Sequence, residues 1–279
     1  MVGRRGRVEG KVAIVTGAGS TPGDGIGTGK ASAVVLAREG AKVLLVDLHP
    51  DRAELTKQMI DEEGGTAEIF AADCTKSDQC AAMVQAAVDA WGTVDILVNN
   101  IGLASLGTVV DTTEEAWDRA LDINLRTVFL ASKHAVPVMA AQKSGAIVNV
   151  CSISALRGDG TLAYSAAKGG MLAMTIDMAY SHGLDGIRVN AVAPGHITTP
   201  MVNSVQQAGP MAEFNAQMRR TAGLLGTPGD GWDVGWSVAF LASDEARWIT
   251  GACLPVDSGV LSVTPLMMGA RLRAIPAPS

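Results

Sequence analysis

Short apolar runs alternate with longer segments of helical periodicity along most of the chain. Val12-Ala-Ile-Val15, Val43-Leu-Leu-Val46, Ile96-Leu-Val98 and Ile147-Val-Asn-Val150 show no polar alternation, as expected of strands buried on both faces. Ala67-Glu-Ile-Phe-Ala71 and Ile187-Arg-Val-Asn-Ala-Val192 are less pure versions of the same pattern. Helical patterns fall between them, at residues 27–39, 51–63, 77–91, 113–140 and 163–182. Strand–helix alternation of this kind predicts right-handed crossovers and a parallel sheet with helices on both faces. The expectation is an α/β protein: one doubly wound domain over residues 1–261, with no internal linker.

Two stretches depart from the alternation. Residues 199–225 carry Met201, Val202, Val205, Met211, Phe214, Met218, Leu224 and Leu225 among glycines and polar residues. They read either as short helices in a lid over a substrate site or as an ordinary packed helix pair. Residues 262–279 contain Pro265, Pro276 and Pro278 and read as a C-terminal tail, disordered or docked on a neighbouring subunit.

Composition narrows the function classes. Of 279 residues, 48% are hydrophobic and 18% charged, which suits a globular domain. A net charge of −6 with scattered basic residues argues against a nucleic-acid face, and 4% aromatics against a base-stacking platform. Cys74, Cys80, Cys151 and Cys253 form no C-x-x-C pair. Reduced thiols in a cytoplasmic protein are the plain reading. Cys151 adjoins Ser152 and reads as a buried strand-end cysteine rather than a reactive thiol. The apolar run after the basic Met1–Arg7 is too short for a signal segment, and no run is long enough to span a membrane. His49, His134, His182 and His196 show no metal-ligand spacing, so no metal is expected.

The chemistry is carried by Tyr164-Ser-Ala-Ala-Lys168, with Ser152 upstream. Positions i and i+4 share a helix face. A phenol ordinarily titrates near ~10, and a neighbouring ammonium favours the phenolate. The pair can therefore act as a general base without metal or histidine, with Ser152 holding a substrate oxygen beside the phenol. Ser154 competes for that second role. Taken alone, this spacing is common in helices, and the plain alternative is a half-buried tyrosine beside a solvated lysine.

A second motif lies near the start. Thr16-Gly-Ala-Gly-Ser-Thr-Pro-Gly-Asp-Gly-Ile-Gly27 follows the first apolar run and opens a helix. Glycines there let backbone approach a pyrophosphate, and a helix N-terminus favours its charge. The strict G-x-G-x-x-G spacing is absent. Asp47 ends the second strand 20 residues beyond Gly27, the spacing of a carboxylate that binds ribose hydroxyls and repels a 2′-phosphate. NAD is therefore expected in preference to NADP. The alternative for Asp47 is a polar cap on the following turn.

With these residues in order, the chain closely resembles the short-chain dehydrogenase/reductase family from about Gly10 to Gly259. The resemblance implies a single-domain Rossmann fold. Within it, Asn124, Ser152, Tyr164 and Lys168 match the family's catalytic set, Asn124 joining a water relay to the lysine. Gly17, Gly25, Ile26 and Gly27 match the cofactor loop, and Asp73 with Cys74 the adenine position. Asn100 and Gly102 match the N-N-A-G segment, with Ile101 replacing alanine. Pro194, Gly195, Ile197 and Thr199 match the segment beside the nicotinamide. Leu103, Ser154, His196, Met201 and Val205 are candidate substrate contacts, although a solvated loop histidine is the plainer reading of His196, and a surface role that of Arg157. Trp232, Trp236 and Trp248 would support the pocket or a subunit interface.

Two departures from the family pattern stand out. The glycine loop carries about four extra residues. It can be read as Gly17…Gly25-Ile-Gly27, which we favour, or as Gly19…Gly23-Asp-Gly25. In the favoured register Thr21–Asp24 bulges and Asp24 points to solvent. The gap from Ser152 to Tyr164 is one residue shorter than usual. The resemblance implies an NAD-dependent oxidoreductase that interconverts a secondary alcohol and a ketone. The alternatives are an NADPH-linked 3-oxoacyl reductase and a dinucleotide-binding protein that does no chemistry. It also implies a homotetramer built on paired long helices, and the Ala, Gly and Met content of residues 163–182 suggests a helix buried on several sides.

Overall fold

The structure, a computed structural model, describes residues 6–23, 25–206, 217, 219 and 221–264. Seven strands form one sheet in the order β3-β2-β1-β4-β5-β6-β9, with every pairing parallel. They are β1 (Val12–Thr16), β2 (Lys42–Asp47), β3 (Thr66–Ala71), β4 (Ile96–Asn99), β5 (Gly145–Val150), β6 (Ile187–Pro194) and β9 (Cys253–Val256). A separate two-stranded ribbon pairs β7 (Ile197–Thr198) with β8 (Gly229–Asp230). The unalternating apolar runs are buried on both faces, as their composition required: every residue of β1 and β4 is buried.

Helices cover both sides. α1 (Thr28–Arg38), α2 (Pro50–Glu62) and α8 (Gly231–Ala242) enclose one core layer, which includes Val34, Leu36, Leu45 and Val238. α3 (Ser77–Trp91), α5 (Thr127–Ala141) and α6 (Leu162–His182) enclose the other, with Met83, Leu97, Leu130 and Ile147. α1 and α8 touch closely. A side chain on Gly235 would meet the Ala31 carbonyl at 2.9 Å, so only hydrogen fits there.

The segment expected as one helix over 113–140 is interrupted. α4 (Glu114–Leu121) and α5 are joined by a wide π-type turn at Asp122–Arg126. The sequence keeps its helical periodicity through the turn, and one extra residue per turn leaves no mark on it. Such turns often occur at functional sites, and this one carries Asn124.

α6 buries Ala163, Ala167, Lys168, Met171, Thr175 and Ala179, which recur at helical spacing on a single face. Within one chain it is therefore not buried on several sides. Ile176 (61% exposed) and Tyr180 (88%) look outward. A short helix, α7 (Pro200–Gln206), begins the segment read as a lid. Met211, Phe214, Met218, the Val205 side chain, Asp24 and most of the tail lie outside the described residues.

Candidate active site

The carboxyl ends of β1, β2, β3, β4, β5 and β6 open into one cleft of about 580 Å³. Strand order reverses between β1 and β4, and a crevice at such a switch point is where open α/β sheets bind ligands.

One end of the cleft is mostly backbone. Gly17, at φ +65°, turns the chain out of β1, a left-handed conformation that glycine adopts without steric cost. Gly29 abuts that turn: a Cβ there would sit 2.0 Å from the Gly17 carbonyl oxygen and 2.4 Å from Asn100 Nδ2. Asn100 ties the pieces together. Its Nδ2 donates to the Gly17 carbonyl at 3.0 Å, and its Oδ1 accepts from Thr28 Oγ1 at 2.7 Å. α1 starts after Gly27 with no side-chain cap, so its first amides have neither an intrahelical partner nor a capping side chain. Gly17, Gly19, Ser20, Thr21, Gly27, Thr28 and Gly29 line the cleft, whereas Gly25 and Ile26 are not in its wall. Gly25 lies instead toward Thr198 and Pro200, and the Ile26 carbonyl faces Gly231.

Asp47 closes this end. Its Oδ2 accepts from the Gly19 amide and its Oδ1 from the His49 amide, both at 3.0 Å. The carboxylate therefore caps the following turn and also lines the cleft, beside Leu48, His49 and Arg52. Asp73 accepts from the Thr75 amide and hydroxyl at 2.9 and 2.6 Å. The Thr75 hydroxyl holds its carboxyl below the ordinary range. Cys74 is buried behind it and also lines the cleft.

The other end is built from side chains. Tyr164 and Lys168 stand on the first turns of α6, with Lys168 Nζ 5.7 Å from the Tyr164 ring centre. Lys168 is 2% exposed. It donates to the Val150 carbonyl at 2.8 Å, and burial pulls its pKa down to about 8. Burial pushes Tyr164 up to about 12, opposed by the Ser152 hydroxyl. In the protein alone both groups are therefore driven toward neutrality, and the lowering of Tyr164 by a charged Lys168 expected from the sequence is absent. Enclosure strips water from both groups and so disfavours the charged form of each.

Asn124 anchors the floor. Its Oδ1 accepts from the Leu103 amide at 2.9 Å, and its Nδ2 donates to the carbonyls of Leu103 and Ala120 at 3.0 and 2.9 Å. A Cβ on Gly102 would sit 3.3 Å from Asn124 Oδ1 and 3.6 Å from Lys168 Nζ. Gly102 therefore keeps the space between them open.

Ser152, Ser154, Leu103, Pro194, Gly195, His196, Ile197, Thr199 and Met201 complete the wall. One of the plainer sequence readings is corrected here. His196 is desolvated, and its pKa is lowered by burial and then by the charges of Arg157 and Arg219. Its Nε2 lies 2.7 Å from Arg157 Nη2, and guanidinium can only donate, so this nitrogen accepts and the imidazole is neutral. Arg157 itself is partly exposed and outside the cleft wall, although its Nε is buried. None of Trp232, Trp236 and Trp248 is in the cleft wall: Trp232 stacks under Arg38 at 4.6 Å, and Trp248 is 90% exposed.

Two groups of site residues were missed from sequence. Asp159 and Thr161 line the cleft, and their only sequence signal is a short polar turn before a helix. Behind the site, Asn99 donates to Asn149 at 2.8 Å, and Asn149 donates to Thr175 at 2.9 Å. This buried chain fixes α6 against β4 and β5, and so sets where Tyr164 and Lys168 stand. Its signal was present as two asparagines within otherwise apolar strands.

Comparison with known proteins agrees with this architecture. A family model described as enoyl-(acyl carrier protein) reductase matches residues 22–261. The 2-(S)-hydroxypropyl-CoM dehydrogenase of Xanthobacter autotrophicus is 39% identical over 262 residues, covering 92% of this chain and 99% of that protein. A cyclopentanol dehydrogenase of a Comamonas species is 37% identical, covering 91% and 98%. A crystal structure from Burkholderia xenovorans, described as a short-chain dehydrogenase/reductase, superposes with a TM-score of 0.90 at 40% identity over 93% of this chain and 99% of that one. Model, relatives and fold agree, and the chain belongs to the short-chain dehydrogenase/reductase family.

Proposed function

We propose that the protein is an NAD-dependent oxidoreductase that interconverts a secondary alcohol and a ketone, with Tyr164 as the acid–base residue. The observation that carries this reading is the single cleft that joins an uncapped helix N-terminus and Asp47 at one end to Tyr164, Lys168 and Ser152 at the other. The names of the two dehydrogenase relatives support an alcohol substrate.

The donor set fits a dinucleotide. The amides of α1, with Gly17 and Gly19, would face the pyrophosphate. Asp47 would take the adenosine ribose and Asp73 the adenine edge, and Ile197 and Thr199 would flank the nicotinamide. When bound, the nicotinamide supplies the hydride acceptor for oxidation and the donor for reduction. Ser152 holds the substrate oxygen, and Tyr164 takes or returns its proton. Lys168 is fixed by the Val150 carbonyl near the Tyr164 ring, where it would favour the phenolate once the cofactor is bound. Asn124 keeps the floor beside Lys168 rigid. General acid–base catalysis of this kind contributes roughly 10²–10⁴-fold.

Asp47 supports NAD over NADP because a 2′-phosphate beside it would be repelled, and its neighbour Leu48 is apolar. Arg52, which also lines this end of the cleft, is a cation that would favour a 2′-phosphate, so catalytic efficiency with NADH against NADPH tests the preference directly. Phe129 (50% exposed), Ile176 and Tyr180 leave apolar surface on α5 and α6, in keeping with a homotetramer. A monomer by light scattering would refute that assembly.

The reaction is tested by following absorbance at about 340 nm, where reduced nicotinamide absorbs, across a panel of cyclic and acyclic alcohols with NAD. Turnover of a secondary alcohol is the expected result. Tight NAD binding with no turnover of any alcohol or ketone would favour a binding protein instead.

A further inference from the structure

His196 sits where two strand ends run out together. β5 and β6 pair with Val150 opposite Val192, so the segments that carry Ser152 and Pro194 leave the sheet as neighbours. His196 follows Pro194 on its loop and lines the cleft, as do Ser152 and Tyr164. Against the ring stands Arg157, whose Nη2 lies 2.7 Å from His196 Nε2. A guanidinium only donates, so Nε2 accepts and the hydrogen of the neutral imidazole is on Nδ1. Among the described residues Nδ1 meets no acceptor, and it is not one of their buried unpartnered atoms. The wall of the cleft therefore offers an unused donor at this point.

Positive charge around the ring has no counter-ion facing it. Arg157 and Arg219 both act on the ring by charge, and Arg219 is itself in the cleft wall. Arg157 takes part in none of the ion pairs among the described residues, and its Nε is buried without a partner. The carboxylates that act on the ring are Asp159 and Asp257. Their oxygens accept from neutral donors: Asp159 from the Ser154 and Thr161 hydroxyls, Asp257 from the Gly259 and Leu261 amides, both at 2.8 Å. Arg157 thus spends a hydrogen bond on a neutral ring rather than on a carboxylate. Its field, with that of Arg219, is left for a group that enters the cleft, where low-dielectric walls focus it.

We propose that His196 Nδ1 and the Arg219 guanidinium form an oxyanion-binding subsite, with Arg157 the positioning residue that fixes the His196 tautomer, and that the substrate is an alcohol bearing a carboxylate or similar oxyanion away from its carbinol. The word substrate rests on the alcohol–ketone reading above, whereas the anion site does not. A guanidinium fork fits the two oxygens of a carboxylate, and its five donors are not exhausted by one partner. The imidazole adds a further donor without adding charge.

Binding is read first, without turnover. Titration calorimetry of the NADH-saturated protein compares cyclohexanecarboxylate and butanoate with their methyl esters, which keep the shape and remove the charge. At least one acid should bind about tenfold or more tighter than its ester. Arg219→Met and His196→Phe should each bring acid and ester to within about threefold. Equal affinities in the wild type, or a preference that either variant keeps, overturns the proposal.

The Arg157 assignment is read by ¹⁵N-histidine NMR, with the His196 signals identified by their loss in His196→Phe. The wild type should carry its hydrogen on Nδ1. Arg157→Met should move it to Nε2, and Arg157→Lys, which can also donate, should restore Nδ1. A purely structural role would leave the tautomer alone, and an unchanged pattern in Arg157→Met overturns the positioning role.

Turnover then connects the site to the reaction. With NAD, cis-4-hydroxycyclohexanecarboxylate or 3-hydroxybutanoate should exceed its methyl ester about tenfold in kcat/KM, mainly through KM. Equal kcat/KM for acid and ester overturns the assignment of substrate class. Failure of the alcohol–ketone reading looks different: carboxylate-selective binding that Arg219→Met abolishes, with no oxidation of acid or ester.

Discussion

At the β1–β2–β3 end of the cleft the chain offers mainly backbone: the Gly17 turn, the uncapped start of α1 and two carboxylates already partnered by amides. At the β5–α6 end it offers side chains: Ser152, Ser154 and Asp159 hydrogen-bonded in a row, and Lys168 held by the Val150 carbonyl near the Tyr164 ring. The first end resists change because its groups are amides whose placement follows from the strand ends. At the second end the chemistry rests on charges that burial opposes, with Tyr164 driven up to about 12 and Lys168 down to about 8. The first arrangement suits holding a ligand of fixed shape. The second suits a proton that must move, because neither protonation state is locked in until another charge arrives.

The sharpest way to separate the two ends is Tyr164→Phe. Turnover should fall by roughly 10²–10⁴-fold, while NADH affinity, read by its fluorescence, stays near wild type. A joint loss of both would mean that the ends are not independent.

At the other end, Asp47→Ala should weaken NADH binding by about tenfold, in line with roughly 1.5–3 kcal/mol for hydrogen bonds to a charged group. It should leave the pH dependence of the chemical step unchanged. Titration calorimetry and single-turnover kinetics check the two halves of that statement.

Lys168 makes the reacting end costly when empty, and the cost depends on pH. Its folded pKa of about 8 lies below its ordinary value of 10.5, so between these values the unfolded chain holds more protons and stability rises with pH. Tyr164 acts oppositely above about 10, where the unfolded chain loses a proton that the folded chain keeps. Urea unfolding should therefore show stability climbing from about pH 8 and levelling near pH 10. Lys168→Met should remove the climb and should be more stable at pH 7 by about 2–3 kcal/mol. A flat profile in the wild type would contradict the burial argument.

The smallest expected effect lies behind both ends. Asn149→Ala strands buried Asn99 and Thr175, which should cost about 1–3 kcal/mol in urea unfolding. Because the network seats α6, turnover should fall more than NADH affinity.

The sequence shows the strands well because double-sided burial leaves unalternating apolar runs. It also shows the residues of the α6 pair, because helix spacing alone places Tyr164 above Lys168. The π-type turn around Asn124 stayed hidden because its residues keep helical periodicity. That Gly25 and Ile26 lie outside the cleft wall stayed hidden because a glycine-rich loop carries no register in its sequence. Asp159 and the Arg157–His196 contact join segments that meet only in the folded chain, and no local pattern announces such meetings. The expected lowering of the Tyr164 pKa misjudged a balance: spacing shows that an ammonium is near but not how much water both groups lose.

On the proposed reading, Tyr164 becomes the base only when the positive charge of the oxidised cofactor joins Lys168 beside it. ¹³C-tyrosine NMR of the Tyr180→Phe protein, titrated with and without saturating NAD, measures this directly. A midpoint near 12 is expected without cofactor, with a fall of about two or more pH units on adding NAD, because an added opposite charge favours the phenolate. A midpoint that NAD leaves in place would contradict it.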